Sequence, residues 1–323
     1  MSNRFGLYPC TFNNALHFTQ LGTARGNPGV QLHETFPAGS VYRKSAITAF
    51  ADPRFTISTE DVLTPFGTPT VSPVAGYACS AASVFRYQQR TDGATFAGSG
   101  NHVLATCAKG FLAPSSLTAQ QDGAAMCDFA FWPLFDGSNL PIVYADDQNL
   151  AQTPAWNSTY FLGPAYLDDA GTPLQLPTLV DLRIDFGIDF RTKRADGDLF
   201  ARVGYIYRVA PVVTLTFDKT SMLDSGAAKG DLGVVFGEYF GPGATNPGAI
   251  SLFLLRGSTT GAGGREVVSD ADHCRLRIFQ GEWHPDSIDV QEEGDTATTI
   301  AIRPTFDGTN PPISIDATSV ASL

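Results

Sequence analysis

PLFDGSNLPI at residues 133–142 and PTFDGTNPPI at residues 304–313 are one loop written twice, identical at seven of ten positions. Gly137 and Gly308, each following an aspartate, suit the positive φ of a tight reversal, and Asp136, Asn139, Asp307 and Asn310 can hydrogen-bond back onto nearby backbone. Apolar and aromatic residues alternate on both sides. Phe129, Phe131, Ile142 and Tyr144 flank the first copy, and Ile300, Ile302, Ile313 and Ile315 the second. Period-two alternation is the pattern of a half-buried strand. Pro133 and Pro304 remove a ladder donor, so that end of each strand belongs at an edge or bulge. The local reading is a β-hairpin with a polar tip in each copy.

The match extends beyond the loop without gaps. Gly110 and Gly281, Pro114 and Pro285, Gly123 and Gly294, and His102 and His273 all keep the spacing that separates Asp136 from Asp307. Leu117 falls over Ile288 and Ala119 over Val290. Nearer the start of each half, residues 29–53 align more weakly with 187–211. Gly29, Gly39 and Pro53 fall on Gly187, Gly197 and Pro211, with Leu32 over Phe190 and Val41 over Leu199. A repeat of this length points to tandem duplication. The expected organisation is a first β domain over 1–155 and a related second β domain over 156–323.

Composition narrows the class. Apolar residues make up 43% of the 323, which excludes a disordered chain, while only 16% are charged, which is low for a surface that meets water alone. Much of the surface is therefore expected to meet other chains. Short Val/Ile/Thr/Phe-rich runs separated by many Gly and Pro predict an all-β architecture of two tandem sandwich or barrel units with at most short helices. The best helix candidate is ACSAASVFRYQQ at 78–89. The first residues lack the apolar core of an export signal and no run approaches a membrane span, so the protein is expected to be made in a cytoplasm with no membrane partner. The five cysteines are odd in number, form no C-x-x-C pair and ignore the repeat, so free buried thiols are expected.

Candidate chemistry is sparse. No zinc-protease, nucleophile-elbow or phosphate-loop motif is present. The glycine-rich stretch 256–266 sits where the first half has another such loop, at 90–100, and neither opens a helix. His102 and His273 lack companions at metal-ligand spacing. Asp146-Asp147, Asp168-Asp169 and Asp196-Gly-Asp198 read as solvated turns rather than a calcium site. A net charge of −11 argues against a protein that grips nucleic acid through its phosphates, but suits one that DNA passes without sticking. No catalytic residue, cofactor or metal is assigned, and an enzyme is not expected.

The duplicated blocks ending in FDGSNLPIVYADDQNL and FDGTNPPISIDATSV, the mid-half stretches ADPRFTISTEDVL and APVVTLTFDKTSML, and the polar loop YQQRTDGATFAGSG together resemble the tail tube proteins of tailed bacteriophages. The resemblance implies a virion structural protein of the tail, synthesised in the host cytoplasm. It implies rings in which inner strands pair around one lumen, stacking through long loops or hairpins. Two domains per chain imply a homotrimeric ring with pseudo-sixfold symmetry, with other virion proteins as further partners. Both the loops at 90–100 and those at 256–266 would lie at subunit or ring contacts. In DLRIDFGIDF, Asp185 and Asp189 alternate with apolar residues, so this strand is a candidate for an acidic lumen lining. Two other readings stay open: a capsid or capsid-decorating protein with two fused β-sandwiches, and a carbohydrate-binding module using Trp132, Trp156 and Trp283.

Overall fold

The computed structural model describes residues 4–18, 21–35, 38, 43–67, 70–90, 102–149, 159–169, 172–176, 178–218, 238–242, 248–257, 273–289 and 297–317. The glycine-rich loops at 91–100 and 258–266 and Trp156 lie outside them. The fold is all β.

The first half runs β1 (Arg4–Phe12), β2 (Leu16–Phe18), β3 (Leu21–Asn27), β4 (Val30–Thr35), β5 (Ser45–Ala51) and β6 (Arg54–Thr59). A single helical turn, α1 (Leu63–Phe66), precedes β7 (Tyr77–Cys79), β8 (Ser83–Arg90), β9 (His102–Cys107), β10 (Gly110–Gln120), β11 (Met126–Pro133) and β12 (Val143–Gln148). The second half runs β13 (Tyr160–Asp169), β14 (Thr172–Leu176), β15 (Leu179–Asp185), β16 (Ile188–Lys193), β17 (Val203–Val209) and β18 (Val212–Phe217). It ends with β19 (Glu238–Phe240), β20 (Ala249–Arg256), β21 (Cys274–Ile278), β22 (Gly281–Asp289), β23 (Ala297–Pro304) and β24 (Ser314–Asp316).

Strand pairing repeats between the halves. An outer sheet of order β12-β9-β8-β1-β2 in the first half has its counterpart β24-β21-β20-β13-β14 in the second. The inner strands β7-β10-β11-β6-β3 recur as β19-β22-β23-β18-β15, and a two-stranded ribbon, β4·β5, recurs as β16·β17. The irregularities recur as well. The ladder shifts between Pro114 and Ser116 and again between Pro285 and Ser287, and between Gln31 and Leu32 and again between Asp189 and Phe190. Gly29 and Gly187 turn into the ribbons at φ 59° and 58°. A Cβ at either would stand 2.0 or 2.1 Å from the carbonyl oxygen of Asp52 or Ala210. Only glycine fits such a corner.

Each half buries its core between an outer sheet and its share of the inner one. Phe12 on β1 packs edge-on to Phe18 and Phe85 and against Phe131 of β11, while Phe55 of β6 stacks on Phe85 at 4.1 Å. Each such ring, removed from water, contributes about 1.5–3 kcal/mol. The inner strands of both halves form one ten-stranded sheet, because β10 of the first half pairs with β15 of the second.

Two sequence expectations are corrected. Asp136, Gly137, Asn139 and Asp307, Gly308, Asn310 are not hairpin tips: β11 pairs with β10 and β6 while β12 pairs with β9, and likewise β23 and β24 belong to different sheets. Each copy carries the chain from the inner sheet across to the outer one. Residues 78–89 are not helical but supply the end of β7 and most of β8, where Ser83 and Phe85 point to the core and Val84 and Arg86 away. Phe85 and Tyr87 at period two, with β-branched Val84 beside them, outweigh the helical preference of the flanking Ala and Gln.

Candidate functional site

The repeated loops are built alike. Asp136 Oδ1 accepts the backbone N–H of Ser138 (2.8 Å) and Asn139 (2.7 Å), and Oδ2 accepts the Asn139 amide (2.8 Å). Asp307 accepts Thr309, Asn310 and the Asn310 amide in the same way. Gly137 and Gly308 hold φ of 104° and 94°. The Asn139 amide and the two N–H donors hold the Asp136 carboxyl down to about 2, and the equivalent donors lower Asp307. These aspartates serve as turn braces.

What differs between the two loops is their surroundings. Against the first lies the β16–β17 ribbon of the second half. Phe135 N–H donates to the Ala201 carbonyl (2.8 Å), Lys109 Nζ donates to the Arg202 carbonyl (3.0 Å), and the Arg202 guanidinium stands 5.1 Å over the Phe135 ring. Phe190 lies flat on Phe111 at 4.3 Å and 4.7 Å from Trp132, and Arg194 pairs with Asp52 while covering Phe50. Below this the sheet is continuous. Ser116–Gln120 of β10 run antiparallel to Asp181–Asp185 of β15, with buried Leu117 opposite Ile184 and Ala119 opposite Leu182.

Among the described residues, the second half presents the same acceptor surface uncovered. Phe306, the counterpart of Phe135, is 62% exposed. Ser287–Asp289 of β22, the counterpart of the β10 segment that receives β15, pair with β23 on one side and with no described strand on the other. At the opposite end of the molecule β3, the counterpart of β15, pairs only with β6 among the described strands. Its ribbon β4–β5 leaves Leu32 55% and Ile47 62% exposed. A surface and its complement thus stand bare at the two ends of one sheet, and unpaired strand edges are templates for another chain.

The face of the inner sheet turned away from the core is largely polar apart from Phe111 and Trp132, which Phe190 packs against, and the apolar Met126 and Val212. Register places Thr23, Thr56, Ser58, Ser116, Thr118, Thr214, Thr216 and Thr299 on it. Asp128, Asp181, Asp185 and Glu282 balance Arg25, Arg54, Arg183 and Arg303. The two acidic candidates separate. Asp185 ends β15 on this face and accepts the Gly187 N–H (2.9 Å), bracing the corner. Asp189 lies past that corner on the ribbon, paired with Arg191 at 3.2 Å. The single strand expected over 184–190 is broken at Gly187 because its positive φ ends the ladder.

Reactive chemistry does not assemble among the described residues. No group of three or more His, Cys, Asp or Glu is placed to hold a metal ion, and no helix is long and apolar enough to cross a membrane. Trp283 is fully buried and Trp132 is covered by Phe190, so neither offers a flat sugar platform. All five cysteines are free and buried. A cleft of about 490 Å³ between the base of β4–β5 and the tip of β16–β17 is lined by Val30, Ala51, Leu140, Ile142, Leu199 and Phe200 and carries no acid, histidine or cysteine. No protein-family model matches the chain, and comparison with curated proteins finds no match. Sequence reasoning missed the junction between the halves. Its one trace was the phenylalanine kept beside Asp-Gly in both copies, where a solvated tip has no use for a ring.

Proposed function

We propose that this chain is a structural subunit of a phage tail tube, in which three copies join head to tail in a ring, rings stack, and DNA passes through the bore. The observation that carries the reading is the junction inside the chain. Two related halves meet by strand pairing between β10 and β15, and the same two partners, β22 and β3, are left without each other at the ends. A head-to-tail contact that repeats must either close a ring or run on as a helix. Closure removes both edges. Three chains of two halves give six equivalent positions, which is the use of an ancestral duplication. The polar, charge-balanced face of the inner sheet would line the bore, where a basic wall would bind passing phosphates and brake the DNA. In this role the protein works by assembly and shape rather than catalysis, resides in the virion tail, and is made in the host cytoplasm.

Electron microscopy of the purified protein across a concentration series tests this. Rings or hollow tubes with sixfold end views, built from three chains, are the expected result. Closed shells would move the protein to the capsid, and discrete monomers at high concentration would overturn both.

A further inference from the structure

The ring leaves open what holds neighbouring chains in one orientation, since a strand edge alone can slip in register. Inside the chain, β15 does not join β10 unaided. The ribbon that follows it, β16–β17, folds over the loop at Phe135 and is tied there by two hydrogen bonds and a cation over the ring. In the first half the strand β3 is likewise followed at once by a ribbon, β4–β5, whose Leu32 and Ile47 are more than half exposed, and Phe306 in its loop is exposed to the same degree. We infer that the β4–β5 ribbon of each copy docks over the Phe306 loop of the next copy, locking the register of the β3·β22 pairing. The inference rests on the ring reading, and its occupant is a second copy of this chain.

The internal junction supplies the detailed match. Phe306 N–H takes the place of Phe135 N–H and donates to the Arg43 carbonyl of the neighbour, the position held internally by Ala201. Lys44 takes the place of Arg202, with its ammonium over the Phe306 ring. Leu32 takes the place of Phe190 and meets Glu282 and Arg303 where Phe190 meets Phe111 and Trp132. The exchange of aromatics for charged residues has a physical reason. The internal contact forms once, during folding, and can be apolar. The intermolecular one must stay in water until assembly, so charged residues replace the aromatics facing Leu32 and its exposed apolar area is confined to Phe306 and a few aliphatic side chains of the ribbon.

Two cross-links separate this inference from the ring itself. Asn27→Cys combined with Ser287→Cys reports the strand junction, because register equates that pair with Ser116 and Asp185, which face each other internally. Oxidation should give a covalent series that ends at the trimer. A benzophenone amino acid replacing Phe306, which is exposed and outside the core, reports the ribbon. Its photoadduct should map by mass spectrometry to the neighbour's β5 near Lys44. If the disulfide trimer forms while adducts at 306 map elsewhere or fail to form, the docking is wrong and the ring stands. If no disulfide forms and no ring is seen, both fall. Phe306→Ser should also raise the concentration at half-assembly by about tenfold, as loss of an anchoring aromatic does, with an unchanged circular dichroism spectrum; an unchanged assembly midpoint would refute the docking.

Discussion

Phe190→Ala and Leu32→Ala are the same truncation at equivalent positions of the two ribbons, and the structure predicts opposite outcomes for them in the unassembled chain. Phe190 is half-buried, flat on Phe111 at 4.3 Å and tilted against Trp132 at 4.7 Å. Full burial would put its truncation at about 3–5 kcal/mol; half of that, roughly 1.5–2.5 kcal/mol, is the packing loss. Loss of the ring stack adds about 0.5–1.5 kcal/mol. The total, about 2–4 kcal/mol, should fall on the ribbon, because Leu182 and Ile184 still hold β15 to β10 beneath it. Amides of β16 and β17 should therefore exchange with deuterium roughly thirtyfold to several hundredfold faster, and the urea midpoint should fall. Leu32, 55% exposed, has little to lose within its own chain, so its truncation should cost under about 0.5 kcal/mol. The measurement is urea unfolding with hydrogen exchange on protein kept below the assembly concentration. Equal destabilisation by both variants would mean that the Leu32 side of β4–β5, beyond the base already held by Arg194 and Leu199, packs on its own chain, and the argument for a bare docking face would collapse. A cost below about 0.5 kcal/mol for Phe190→Ala would show that the stack does not hold the internal junction.

Other expectations follow from the same geometry. Asp136 and Asp307 have folded pKa values below the ordinary carboxylate value, so the stability they add is fully present above about pH 4 and is lost as pH falls toward about 2 for Asp136. A carboxyl NMR titration should place Asp136 near 2, and a midpoint at the ordinary value would remove its role as a brace. Burial pushes the thiols of Cys79, Cys107 and Cys274 up to about 12, and those of Cys10 and Cys127 well above their usual value. A thiol reagent at pH 8 should leave the native protein unlabelled and reach all five cysteines only after denaturation; rapid native labelling would contradict this. Thr118→Lys with Thr216→Lys adds cations to the polar face of the inner sheet without touching the core. On the proposed tube role, DNA release through intact tubes should slow in a salt-dependent way, and unchanged kinetics would place that face away from the bore. Asp185 is the poorer choice for this test because its carboxylate also braces the Gly187 corner.

Much of the architecture was legible in the chain because the residues that impose it have few substitutes. Gly29 and Gly187 recur because a Cβ would run into the carbonyl across the corner, and the bulges after Pro114 and Pro285 recur with their prolines. Local punctuation of this kind is written in single residues. Pairing is not. The alternation around Asp136 says that each flanking strand has one buried face, but nothing in it says whether the next strand returns to the same sheet or crosses to the other. That choice depends on β9 and β6, far away in sequence, and it turned an expected hairpin into a crossover. In 78–89 the same long-range competition overrode helical composition, since β1 and β9 had a place for β8 between them. The candidate site was the least legible part. Phe135 and Phe306 stand in loops with the same sequence signature and the same internal hydrogen bonds, and neither loop encodes its neighbour. One ring is covered and the other bare because the turn of the β16–β17 ribbon lies over Phe135, while no described element lies in the same way over Phe306.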